Sequence, residues 1–268
     1  MTGGPAAGRG GPGKGGPGKG GLGAFLRPQD PNGPAAPAGM PAEMAAGRAP
    51  SGGTDSNRVV GFHGKVPARG DFIAHGLPPA VLGPWDRWLS AALGEAGRRL
   101  GGEWESLFGQ APAWRFALSA GLCGPAPLVG VWMPSADRVG RLYPFTIAAS
   151  LPTAADLAGV PAACAGWLGR AEALALDACR AGTDVEGLPA RLAILGRPEP
   201  DRVPAATRAL RGRLSGLLPA GASLSATRGG GRVSPSLLSC AGLPAGPRLA
   251  AFLDGAWERW GWENAGGE

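Results

Sequence analysis

The chain has 268 residues, with 26 basic against 20 acidic side chains, a net charge of +6, 49 glycines and 28 prolines. That length suits one domain of ordinary size or two small ones, because domains run to about 100–200 residues. The charge excess is too small to argue for nucleic acid, no run of about 18 apolar residues is present to cross a membrane, and four scattered cysteines do not make a disulfide scaffold.

Residues 1–57 are dominated by Gly, Pro and Ala, and a Gly-Gly-Pro-Gly-Lys unit recurs over 10–14 and 15–19. So few large apolar side chains cannot offset the entropy of ordering so many glycines, so this stretch is expected to be a disordered tail and 58–268 a single domain. The tail holds five basic and three acidic residues, leaving 21 and 17 in the domain, so neither part is strongly basic. Much of the arginine content matches the bias of a GC-rich genome. The opening residues place no apolar stretch beside their cations, so no secretory signal is expected. Cys123, Cys164, Cys179 and Cys240 each sit among Ala, Leu or Gly. They read as free thiols in a reducing, cytoplasmic setting.

In chain order, Val59 to Phe62 predicts a strand that runs into a turn over Lys65 to Phe72, where Gly64, Pro67 and Gly70 interrupt any regular element. From Pro84, the recurrence of Trp85, Trp88, Leu89, Leu93, Ala96 and Leu100 at steps of three and four predicts an amphipathic helix with proline in its first turn. A short helix over Glu103 to Phe108 follows. Trp114 to Leu118 alternates as a half-buried strand does, and the unbroken apolar run Leu128 to Met133 reads as a central strand. The loop Pro134 to Arg141 precedes a strand over Tyr143 to Leu151, in which Pro144 is tolerable only near the start. Helices are predicted over Val160 to Arg180 and Ala205 to Leu218, strands near Ser223 to Thr227 and Pro235 to Cys240, and a closing helix from Arg248 to about Trp260. Strands interleaved with helices predict an α/β domain with helices packed on a sheet.

The chemistry these residues offer is narrow. Gly8-x4-Gly13-Lys14 and Gly13-x4-Gly18-Lys19 imitate a phosphate-binding loop, but Gly15 and Gly20 stand where the metal-binding Ser or Thr belongs. His63 and His75, the only histidines, have no cysteine at zinc-ligand spacing, so no metal or cofactor is expected. A hydrolytic site on Ser135, Asp137 and a histidine is the enzymatic alternative, although Ser135 lacks the Gly-x-Ser-x-Gly elbow. Arg69-Gly70-Asp71 matches the integrin tripeptide, but in a chain with no export signal a charged turn is the better explanation. The stretches 65–72 and 134–141 both combine turn residues with opposite charges. If they adjoin, Asp71 and Asp137 could clamp Arg138, Arg69 or Arg141, since a guanidinium pairs a carboxylate in a fixed two-pronged geometry. Lys65, Arg69, Asp71, Ser135, Asp137, Arg138 and Arg141 then form either a structural ion-pair network or a partner-binding surface on one edge of the sheet.

These same residues carry a family resemblance. Gly61-Phe62-His63-Gly64-Lys65-Val66-Pro67-Ala68-Arg69-Gly70-Asp71-Phe72, Pro84-Trp85-Asp86-Arg87-Trp88-Leu89, Trp114-Arg115-Phe116, and Met133-Pro134-Ser135-Ala136-Asp137-Arg138-Val139-Gly140-Arg141 with Tyr143-Pro144 resemble the TagF family in order and spacing. The likeness is strong from Val59 to Leu151. It is weaker at Ser236-Leu237-Leu238, Gly242-Leu243-Pro244 and Phe252-Leu253-Asp254-Gly255. His63 replaces a usual tyrosine, and Leu238-Ser239 replace a tryptophan-rich pair. The resemblance implies a three-layer α-β-α sandwich around a mixed, largely antiparallel sheet. Phe62, Phe72, Trp85, Trp88 and Trp114 would lie mostly in its core. It implies a cytoplasmic accessory protein of a bacterial type VI secretion system, not an enzyme, which represses assembly after translation by binding the forkhead-associated scaffold protein. A structural component of the apparatus is the alternative. Some relatives are fused to a PP2C-type phosphatase; none is expected in this chain, so a phosphatase partner would be encoded separately.

Overall fold

The computed structural model describes residues 59–263 apart from 153–155, 200–211, 214 and 217. The tail expected over 1–57 and most of the helix expected over 205–218 lie outside the described residues. Seven strands form one sheet: β1 (Val60–Gly64), β2 (Ile73–His75), β3 (Trp114–Leu118), β4 (Leu128–Met133), β5 (Phe145–Ser150), β6 (Ala222–Thr227) and β7 (Ser236–Ala241). Their order is β2-β1-β5-β4-β3-β6-β7, and all six pairings are antiparallel.

The unbroken apolar run of β4 follows from its place at the middle of the sheet, where both faces are covered. Leu128 and Trp132 point to one core, and Val129, Val131 and Met133 to the other. The first core is closed by α1 (Pro79–Leu100), α2 (Trp104–Gln110) and a C-terminal helix (Arg248–Asp254); the second by α3 (Val160–Ala163), α4 (Ala165–Ala178) and α5 (Leu188–Leu195). The C-terminal helix is α6 hereafter. The result is the expected α-β-α sandwich, with a sheet that is antiparallel throughout and not mixed. Gly130 is required at the centre: a Cβ there would run into the Ile147 carbonyl oxygen and into the ring of Phe116, its partner across the β3–β4 ladder.

Several element boundaries differ from expectation for physical reasons. The first helix begins five residues early, on Pro79, and Pro84 lies inside it. Proline at a helix start is favourable, which drew the expected boundary to the wrong proline. Its buried stripe is otherwise as the spacing indicates, with Trp85, Leu89, Leu93, Ala96 and Leu100 all turned inward. The helix expected over Val160 to Arg180 is interrupted at Cys164, whose φ −106° and ψ 15° fall outside the helical region. The closing helix stops at Asp254 because Gly255 adopts the left-handed conformation at φ +72°, a common helix terminator, and only a short turn over Glu258–Trp260 follows. Helix α5 and the three-residue edge strand β2 were not expected.

Candidate functional site

Strand pairing decides where the two charged turns go. Gly64, the last residue of β1, lies opposite Phe145 at the start of β5, and Phe145 also faces Met133 at the end of β4. The segments that follow β1 and β4 therefore leave the same end of the sheet. They do not line an edge, as the sequence had suggested, because β1, β5 and β4 run side by side in the interior of the strand order. The second turn closes on itself through Asp137 N–H to Arg141 O (3.1 Å) and Gly140 N–H to Asp137 O (2.9 Å), with Gly140 at φ +85°. The two turns are joined directly: Arg138 N–H donates to Arg69 O at 2.8 Å.

Asp137 is the hub, and its side chain is fully buried. Oδ1 accepts the backbone N–H groups of Val139 (3.0 Å) and Arg141 (2.9 Å). Oδ2 accepts Lys65 Nζ at 3.0 Å and Arg141 Nε at 2.6 Å. Burial alone would raise the carboxyl pKa; the Arg141 backbone, the Lys65 ammonium and the Arg141 guanidinium outweigh it and hold it down at about 2. Lys65 is itself 7% exposed, so both ends of this pair have left water. Such a pair persists because every remaining acceptor site on the carboxylate is also filled.

Of the expected clamp, the Asp137–Arg141 pair forms, with Lys65 as the second cation on the same oxygen, while Asp137 pairs with neither Arg138 nor Arg69. Arg141 also reaches the Gly70 carbonyl oxygen, which fastens the second turn to the first. Asp71 is fully exposed and only 4.0 Å from Arg141 Nη2, a peripheral contact. Arg69 pairs with Glu186, just before α5. That residue could not have been found from the sequence, since it lies 117 positions away in a segment with no motif.

Beside the hub stands an aromatic cluster. Phe72 stacks on His63 (5.3 Å between ring centroids, 7° between planes) and meets Tyr143 edge-on at 4.8 Å, while Lys65 Nζ sits 5.1 Å from its centroid. Tyr143 donates its hydroxyl to Asp86 Oδ1 at 2.6 Å, and His63 Nε2 is 4.0 Å from the same oxygen. Burial lowers the His63 pKa, with Asp86 opposing, so the ring is neutral at pH 7. Burial and the bond to Asp86 push the Tyr143 phenol up. Among the motif aromatics, Phe62, Trp85 and Trp114 are buried and Trp88 is partly so, but Phe72 stands half out of the surface. Asp86 and Tyr143 were legible in the motifs, although nothing there tied them to His63.

The family model described as TagF N-terminal domain, type VI secretion system-associated, matches residues 61–195, half of the chain. The chain belongs to this family. The crystal structure of PA0076 from Pseudomonas aeruginosa PAO1 is similar at 36% sequence identity and a TM-score of 0.66, covering 73% of this chain and 94% of that one. Since 73% exceeds the span of the family match, the likeness in fold extends beyond that match. Among curated proteins none matches. The protein is therefore associated with type VI secretion.

In this TagF-type domain the hydrolytic alternative does not assemble. Every oxygen of Asp137 is committed to Lys65, Arg141 and two backbone amides. Ser135 is buried against the Cys179 thiol, at the end of α4, on the face opposite the one where His63 meets Asp86 of α1. Burial raises the Cys179 pKa and outweighs the opposing effect of the neighbouring Ser135, so that thiol is not an activated nucleophile. Among the described residues no group of three His, Cys, Asp or Glu could hold a metal ion, and no helix is long and apolar enough to cross a membrane.

Proposed function

We propose that this protein acts in the cytoplasm as a post-translational repressor of type VI secretion, binding the forkhead-associated scaffold protein of the system and so withholding it from assembly. The observation that carries this reading is the pair of turns stapled together through buried Asp137. Lys65, Asp137 and Arg141 are spent on holding shape, and what remains outward is a rigid surface suited to meeting a protein. Repression then follows from mass action: scaffold occupied by this protein is removed from the pool that assembles.

The test is co-purification of the tagged full-length chain with the scaffold from the native bacterium, together with a secretion assay on overproduction. A stoichiometric complex and loss of secretion are expected. Recovery of this protein inside the assembled apparatus, with secretion undiminished, would count for a structural component instead.

A further inference from the structure

Of the four cations on the two turns, three are already engaged: Lys65 and Arg141 with Asp137, and Arg69 with Glu186. Arg138 is different. Its guanidinium has no ion-pair or hydrogen-bond partner among the described residues, and its Nη2 lies over Gly70, 3.6 Å from where a Cβ would stand. Its backbone is nevertheless fixed by the bond to Arg69 O, so the side chain projects from a rigid root. Next to it, Val139 is 68% exposed although its amide is tied to Asp137. Phe72, two residues beyond Gly70, is 49% exposed and is held upright by His63 and Tyr143. Two of the five exposed large hydrophobic side chains among the described residues are thus on the same two turns as this uncommitted cation.

Arginine beside aromatic and apolar groups on a pre-organised backbone is the composition at which binding energy concentrates in protein interfaces. We propose that Arg138, Val139 and Phe72 form the contact point for an acidic segment of the partner, an inference that rests on the scaffold-binding reading above. The guanidinium takes a partner carboxylate in two-pronged fashion, and an apolar side chain next to that carboxylate lies on Val139 and Phe72. Exposed Asp71 and Glu186 stand at the rim, where like charge repels an acid that is out of register and confines it to Arg138.

The experiment is calorimetric titration of the purified scaffold with the full-length chain and its variants. Arg138→Glu is expected to weaken binding about tenfold or more, and Arg138→Lys less, since an ammonium cannot grip both oxygens. Val139→Ser is expected to weaken it too. Arg69→Ala is expected to change it by less than about twofold, because that guanidinium is already paired at the surface. The thermal midpoint of Arg138→Glu should equal that of the parent, as the side chain has no internal partner to lose. If the parent chain does not bind the scaffold, the scaffold reading falls and the contact point with it. If the parent binds and a folded Arg138→Glu binds equally well, or Arg69→Ala is as damaging, the contact point is wrong while the scaffold reading stands.

Discussion

At the scale of single residues, Asp137 differs from the other acids at the site because the fold removes it from water and then fills each of its acceptor positions. Removing it leaves the Lys65 ammonium buried without a counter-charge. Asp137→Ala is therefore expected to cost about 3–5 kcal/mol in urea denaturation, the range for an orphaned buried charge. The pH dependence has a definite sign. The folded-state pKa, at about 2, lies below the ordinary 3.8, so the stability this group supplies is complete above 3.8 and drains away as pH falls toward 2. The difference in unfolding free energy between the parent and Asp137→Ala should accordingly be flat near neutrality and shrink through that acid window. A difference that grew on acidification would contradict the assignment. Arg69 offers a contrast: its partner Glu186 is mostly exposed, and a surface pair of this kind contributes about 0–1 kcal/mol.

At the scale of elements, the central ladder sets the tolerances. β3, β4 and β5 are packed on both faces, and Phe116 crosses over Gly130 into the space a side chain would need. Gly130→Ala must push against the Ile147 carbonyl, which is backbone and cannot turn aside. It is expected to destabilise by at least about 1–3 kcal/mol, measured as a lower denaturation midpoint with the m-value unchanged. The elements also show where reading by pattern succeeds. The stripe from Trp85 to Leu100 and the run from Leu128 to Met133 are long and periodic, and both were legible. Pattern failed where the governing contact is not local. The sequence offered three prolines, Pro78, Pro79 and Pro84, for one helix start. β2 exists only because β1 is there to pair with it over three residues. The α5 signal, Leu188, Leu192 and Leu195 turned inward, is only eight residues long and easily missed.

At the scale of the whole molecule, two cores share one sheet, and the three central strands β3, β4 and β5 contribute to both by alternation. Loss of either core should therefore unfold the other. Trp132→Ala on one face and Ile147→Ala on the other are expected to cost about 3–5 and 2–5 kcal/mol respectively. Each variant should still show a single transition, with tryptophan fluorescence and far-ultraviolet circular dichroism coinciding. A fluorescence change that preceded the loss of secondary structure in Trp132→Ala would show that the layers unfold independently. By itself the sequence determined the α/β class, the central strand, the main amphipathic helices and the two stretches from which the site is built. Those properties follow from local periodicity and from residue types that no other element need supply. Only the tertiary structure decided that the turns share an end of the sheet, that Asp137 takes Lys65 and Arg141 and not Arg138 or Arg69, and that Glu186 and not Asp71 pairs with Arg69. These depend on which strands lie side by side and on which charges lose their water, and neither is written in the spacing of residues along the chain.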